Sequence, residues 1–264
     1  MKKKKSLGQN FFVNKNLAER IIEILLVNLP DVVVEIGPGG GYFTDLIASK
    51  VKSLVLIEKD DDLALDLSLK YPKADVVNKD FLDWDLNELQ KYADSKIIFF
   101  GSLPYNVSKK IIRKIIFSKY YKNPSFFIIQ KEVAQKYIAK APDSNVLALE
   151  TALFADCKKL FDISSDSFRP MPKVTSSFIQ FTPNEKLGEK LQNIDDFISF
   201  LFDIRKLLGK VYGVIVKAQE TYECMLKKYN LENDELLKIL EKRPQHLSLS
   251  DCLLLYSTTK RKLS

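Results

Sequence analysis

Five short runs of apolar, mostly β-branched residues constrain this chain more than anything else in it: 32–36, 54–58, 75–77, 97–100 and 126–129. They do not alternate between apolar and polar residues, so strands made from them are covered on both faces. Helix-length segments separate them. That combination specifies a parallel sheet with helices packed on either side, an α/β fold of the Rossmann-like kind. Two later runs, 160–163 and 178–181, complete the sheet. Ahead of the first run, Asn16 is placed to cap a helix carrying Leu17, Ile21, Leu25 and Leu29 at helical spacing and ending before Pro30.

The texture changes after Pro183. Phe197, Leu201 and Ile204, then 211–216, 222–226 and 234–240, follow helical spacing without strand-like alternation. We therefore expect one domain over 1–183 and a small all-helical domain over 184–264, joined by a linker at 184–191.

The loop Gly37-Pro38-Gly39-Gly40-Gly41 follows the first run and precedes a helix expected to begin near Tyr42. Glycines there let the backbone turn sharply and approach a ligand, and the helix start offers oriented N–H groups. A dinucleotide fingerprint would need glycine where Tyr42 stands, which weighs against a nicotinamide cofactor. Glu58 closes the next strand and is suited to accept from two ribose hydroxyls. Asp80 closes the third and is suited to accept from an adenine amine, with Phe81 or Leu82 beside the ring plane.

Ser102-Leu103-Pro104-Tyr105 follows the fourth run. A short polar residue, a proline-stiffened turn and an aromatic ring supply acceptors for an exocyclic amine and a face for a flat base. The chain's net charge of +7 calls for an anionic partner, with nucleic acid ahead of a membrane. Its placement is informative: between Leu103 and Lys140 nine Lys or Arg face one acid, Glu132, whereas 184–264 carries 14 basic and 12 acidic residues. Ser108 is placed to cap a helix with Ile111, Ile112, Ile115 and Ile116 on one face and Lys109, Lys110, Arg113 and Lys114 on the other, positioned to hold phosphates. Arg205, Lys206 and Lys210 extend that surface.

Cys157, Cys224 and Cys252 match no zinc spacing and are odd in number, so we expect reduced thiols and no metal site. Gln9, Asn10, Asn14 and Lys15 interrupt any apolar segment after the basic start, and no run approaches ~20 apolar residues, so a cytoplasmic protein without a membrane span is expected. The lone His246 has no nucleophile or metal partner near it in sequence and reads as structural.

Taken in order, these motifs resemble the ribosomal RNA adenine N6,N6-dimethyltransferases, class I S-adenosylmethionine-dependent enzymes. The resemblance is carried by residues 6–12 (Ser-Leu-Gly-Gln-Asn-Phe-Phe), 35–39, Glu58, Asp80, 102–106, 130–134, 168–176 (Phe-Arg-Pro-Met-Pro-Lys-Val-Thr-Ser) and the segment 243–255. It implies S-adenosylmethionine as cofactor, with contacts at Asn10, Phe12, Gly37, Gly39, Glu58, Asp80 and Ser102, Asn10 lying on an arm that folds over the cofactor. It also implies that Ser102 and the Leu103 carbonyl accept from adenine N6–H, that Pro104 shapes the turn, that Tyr105 stacks on the base and that Phe168 covers the other face. The substrate so implied is ribosomal RNA in a small subunit or its precursor, acted on by a monomer. Alternatives are an Erm-type enzyme acting on large-subunit RNA, or an RNA-binding assembly factor of the same fold with little turnover. The chain departs from the family pattern at Ser102, where asparagine is usual, and over 141–146, which lacks the expected glycine and downstream arginine.

Overall fold

A computed structural model describes residues 10–27, 29–184, 197–199, 201, 239 and 242–260. The arm residues 6–9, Cys224, most of the helical pattern from 195 to 240, and Arg205, Lys206 and Lys210 lie outside the described residues. The chain divides into two compact units, Met1–Ala134 with Ala155–Pro183, and Gln135–Phe154 with Asn184–Ser264.

The first unit is built on the expected runs. After a two-residue strand β1 (Phe11–Phe12) and helix α1 (Lys15–Leu26) come β2 (Val32–Ile36), α2 (Thr44–Ile47), β3 (Ser53–Glu58), α3 (Asp61–Lys70), β4 (Asp75–Asn78), β5 (Ile97–Ser102), α4 (Ser108–Ile116) and β6 (Ser125–Gln130); the boundary between the units falls within the next helix, α5 (Lys131–Ile138). All five residues of β2 are buried, as the lack of alternation requires of a strand covered on both faces. The helix expected near Tyr42 begins two residues later.

Helix α6 (Val146–Ala152) precedes β7 (Ala155–Ile163), the short β8 (Phe168–Arg169) and β9 (Ser176–Pro183). The sheet order is β4-β3-β2-β5-β6-β9-β7. Its first five strands are parallel, with Val34 opposite both Val55 and Phe99. β9 and β7 join antiparallel, a direction that apolar runs alone do not encode. The chain lays β2, β3 and β4 outward, then returns to set β5 on the far side of β2. The loops leaving these two strands diverge there, which opens a crevice at their carboxyl ends.

Two expected caps shift. Asn14, not Asn16, starts α1 by accepting from the Leu17 N–H at 3.2 Å, since Asn16 already lies within the first turn. The helix stops at Leu26, leaving Leu29 in the left-handed region and exposed rather than on the buried face with Ala18, Ile21, Ile22 and Leu25. At α4 the cap position is Val107. Ser108 is the first helical residue, buried, with its hydroxyl donating to the Tyr105 carbonyl at 3.4 Å.

In the second unit, Asn145 caps α6 by accepting from the Ala148 N–H, and α7 (Leu249–Lys260) sets Tyr256 edge-on to Phe197 at 5.0 Å. Ser144 donates from its backbone to the Gln245 carbonyl and from its hydroxyl to that of Leu247 at 2.6 Å, so the divergent loop 141–146 is tied to the segment holding His246. Among the described residues no helix is long and apolar enough to cross a membrane.

Candidate active site

The crevice between β2 and β5 holds a cavity of about 430 Å³, within the range of small-molecule sites. It gathers residues from Asn10 to Phe168 that lie far apart in sequence: Asn10 and Phe12, the glycine loop, Glu58, Asp80, Ser102 to Tyr105, and Phe168.

The glycine loop is shaped by Glu58. Gly39 has φ +59° and a Cβ there would stand 3.3 Å from the Phe11 ring, so the position favours a residue without a side chain. Its N–H donates to Glu58 Oε2 at 3.0 Å, while Oε1 accepts from the Asp60 N–H at 2.9 Å. Burial raises the Glu58 pKa, and these backbone donors oppose the rise. Each carboxylate oxygen keeps a second lone pair for hydroxyl donors.

Asp80 lies two residues beyond β4 rather than at its end. Its Oδ1 accepts from the Leu82 N–H and its Oδ2 from the Lys59 ammonium at 2.8 Å. Burial alone would raise its pKa, yet these partners hold it below the ordinary range. Of the two residues expected to flank a ring, Phe81 lines the cavity.

The arm is held by a pairing that no local pattern announces: Phe11 and Phe12 pair antiparallel with Arg169 and Phe168. The Phe168 ring packs edge-on against Phe12 at 5.1 Å and is only 2% exposed, so it forms part of the cavity wall. Tyr105 is half-buried, its hydroxyl sharing a 2.8 Å hydrogen bond with that of Ser176, a fully buried residue. The turn bearing Tyr105 is thereby tied to the strand that follows Phe168.

The sequence reading gives no role to two further residues, Gly101, next to Ser102, and Glu35, in the cavity lining. A Cβ on Gly101 would come within 2.7 Å of the Ile36 carbonyl, so glycine lets β5 deliver Ser102 close beside β2. A glycine inside an otherwise apolar strand is the sequence signal for such an approach. Glu35 lines the cavity floor from within β2, and Thr44 donates to it at 2.7 Å. Burial, with Glu58 and Asp45 nearby, raises its pKa to about 8 against 4.5 for the ordinary group. The unfolded chain thus releases this proton near pH 4.5 and the folded chain near 8. Stability from this group is fully present below the lower value and lost as pH rises through the higher, by at most about 1.4 kcal/mol per pH unit. Glu35→Gln is expected to remove this dependence, so that the difference in urea midpoint between variant and parent moves in the variant's favour from pH 5 to 9. Parallel pH profiles for the two proteins would refute it.

The basic helix divides. Lys109, Lys110 and Arg113 are exposed on α4. Lys114 departs from the expected phosphate-holding face: its ammonium donates to the carbonyls of Phe81, Leu82 and Trp84 at 2.9, 2.8 and 2.5 Å. Those carbonyls lie at the end of a turn that needs a donor, and the long lysine stem reaches it from α4.

Residues 1–249 match the family model described as ribosomal RNA adenine dimethylase. The ribosomal RNA small subunit methyltransferase A of Pelagibacter ubique is 34% identical over 258 residues, covering 91% of this chain and 97% of its own. The protein of the same name from a Hydrogenobaculum species is 33% identical, with 98% and 94% covered. Among solved structures, a dimethyladenosine transferase from Plasmodium falciparum superposes with a TM-score of 0.74 at 21% identity, covering 96% of this chain and 98% of that one. The 23S rRNA methyltransferase ErmE superposes at 0.71 and 21%, covering 95% and 100%. At such identities the two structures speak for the fold alone.

Proposed function

The chain belongs to the ribosomal RNA adenine dimethylase family, a family of S-adenosylmethionine-dependent methyltransferases, and from that premise we propose that it dimethylates N6 of two adjacent adenines near the 3′ end of small-subunit ribosomal RNA. One observation carries the reading: Ser102 and Tyr105 open onto the same cavity as Glu58, Asp80 and the glycine loop. A base held by the first pair therefore lies beside a cofactor held by the others.

The residues present fit S-adenosylmethionine. Glu58 has lone pairs for ribose hydroxyls, Asp80 and Phe81 offer an acceptor and a ring beside it, and the glycine loop allows close backbone approach. When bound, the cofactor supplies a methyl group already activated by its sulfonium. The N6 amine is a poor nucleophile because its lone pair is delocalised into the ring. The chain's task is to align it and to draw the amine toward tetrahedral geometry by accepting its hydrogens, for which no strong base is needed. Ser102 Oγ and the Leu103 carbonyl accept from N6–H, Tyr105 stacks on the base, and Asn10 and Phe12 close the cofactor side.

The relatives above 30% identity bear the small-subunit name, which favours that substrate over the large-subunit RNA of ErmE. Lys109, Lys110 and Arg113 hold phosphates beside the target, and Arg205, Lys206 and the rest of the region 184–264 make RNA contacts of their own. The protein acts as a monomer in the cytoplasm, where ribosomal subunits are assembled. Nucleoside analysis after incubation with S-adenosylmethionine and unmethylated small subunits tests the chemistry: N6,N6-dimethyladenosine is expected, and its absence with subunit binding retained would favour an assembly factor. Exchanging Lys109, Lys110 and Arg113 for glutamine should make the salt dependence of RNA binding shallower by about 2 logarithmic units per decade of salt, with cofactor affinity unchanged. An unaltered slope would remove these side chains from the RNA interface.

A further inference from the structure

Lys114 differs from the exposed cations of its helix. It sits on the helix that follows the Tyr105 turn, yet its ammonium is spent on three carbonyls of the turn 80–84, 30 to 33 residues upstream. That turn is wound around Asp80, whose carbonyl accepts from the Asp83 and Trp84 N–H groups and whose carboxylate accepts from Leu82. The winding leaves the carbonyls of Phe81, Leu82 and Trp84 pointing to one place, and Lys114 fills it with a charge. The ammonium also lies 5.5 Å from the centre of the Phe81 ring, one of the cavity walls. Burial pushes the lysine pKa down, opposed by Asp83, Asp85 and Asp80, and its charge in turn helps keep Asp80 ionised.

We infer that Lys114 is a positioning residue for the adenine end of the cofactor site, holding Asp80 and Phe81 in place from the helix that also carries the RNA-facing cations. The inference rests on the reading that the cofactor adenine lies against Asp80 and Phe81. It also means that the helix beside the target base and the turn beside the cofactor base move as one piece. A lysine in a basic face is ordinarily solvated. Here three carbonyls at hydrogen-bond distance make the charge internal to the fold.

The test is Lys114→Met, which keeps an unbranched stem and removes the ammonium, set beside Lys114→Arg, which restores donors and charge. Calorimetry with S-adenosylmethionine should show affinity about tenfold weaker in the methionine variant, partly recovered by arginine. Methyl transfer should show the same change in the cofactor KM, with kcat at saturating cofactor within about twofold of the parent. The salt slope of RNA binding should not change, because the ammonium is already occupied. Unchanged cofactor affinity would overturn the inference, as would a slope reduced by one phosphate contact. If the methionine variant does not fold, Lys114→Gln takes its place, keeping one amide donor for the three carbonyls and removing the charge: cofactor affinity several-fold below the parent's supports the inference, and parent-like affinity overturns it. Asp80→Ala separates the two levels: if it too leaves cofactor affinity intact, the adenine placement itself fails, whereas loss in Asp80→Ala without loss in Lys114→Met refutes only the positioning role.

Discussion

Glu58→Ala is expected to weaken S-adenosylmethionine binding about 10- to 100-fold, the equivalent of losing roughly 1.5 to 3 kcal/mol of charge-assisted hydrogen bonding. Two losses combine. The proposed acceptor for the ribose hydroxyls is removed, and the Gly39 and Asp60 N–H groups lose theirs, because each bonds one oxygen of this 5% exposed carboxylate. Glu58→Gln should behave much like alanine, since its amide would present a donor to a backbone donor on one side. Calorimetry on folded variants decides the matter. Parent-like affinity in Glu58→Ala would detach Glu58 from the cofactor.

Tyr105→Ala should reduce single-turnover methylation roughly 5- to 150-fold, the kinetic equivalent of the ~1 to 3 kcal/mol carried by a base stacked on an aromatic ring. Tyr105→Phe keeps the ring and gives up only the hydroxyl contact with Ser176, so a loss of a few-fold is expected. Ser102→Asn, which restores the residue usual in the family, should preserve or raise the rate by extending a carbonyl acceptor toward the amine. A collapse in that variant would mean the pocket has been rebuilt around serine. Equal losses in the phenylalanine and alanine variants would mean the hydroxyl, and not the ring, is what matters at position 105.

The sheet was legible because burial on both faces leaves a direct trace: five mainly apolar runs without alternation became the five parallel strands, displaced by a residue or two at their ends. Strand direction at β9 and β7 left no such trace, since an apolar run reads alike either way. The acidic and glycine residues of the crevice were legible because strand ends are where an α/β sheet displays its ligands. What stayed hidden depends on contacts between distant segments. The pairing of Phe11 and Phe12 with Arg169 and Phe168 spans over 150 residues, and the Tyr105 contact with Ser176 joins two loops that no spacing relates. Lys114 shows the limit of amphipathic reading. Its helical position placed it with Lys109, Lys110 and Arg113, but the neighbouring turn, invisible to a helical wheel, drew its charge inward.

Mapping the modified bases is the decisive test of adenine methylation by this cavity in small-subunit RNA. Unmethylated small and large subunits are incubated separately with the protein and S-adenosylmethionine, and modified positions are read by primer extension. Stops are expected at two adjacent adenines near the 3′ end of the small-subunit RNA and none on the large subunit. Modification confined to large-subunit RNA, or none on either subunit, would contradict it.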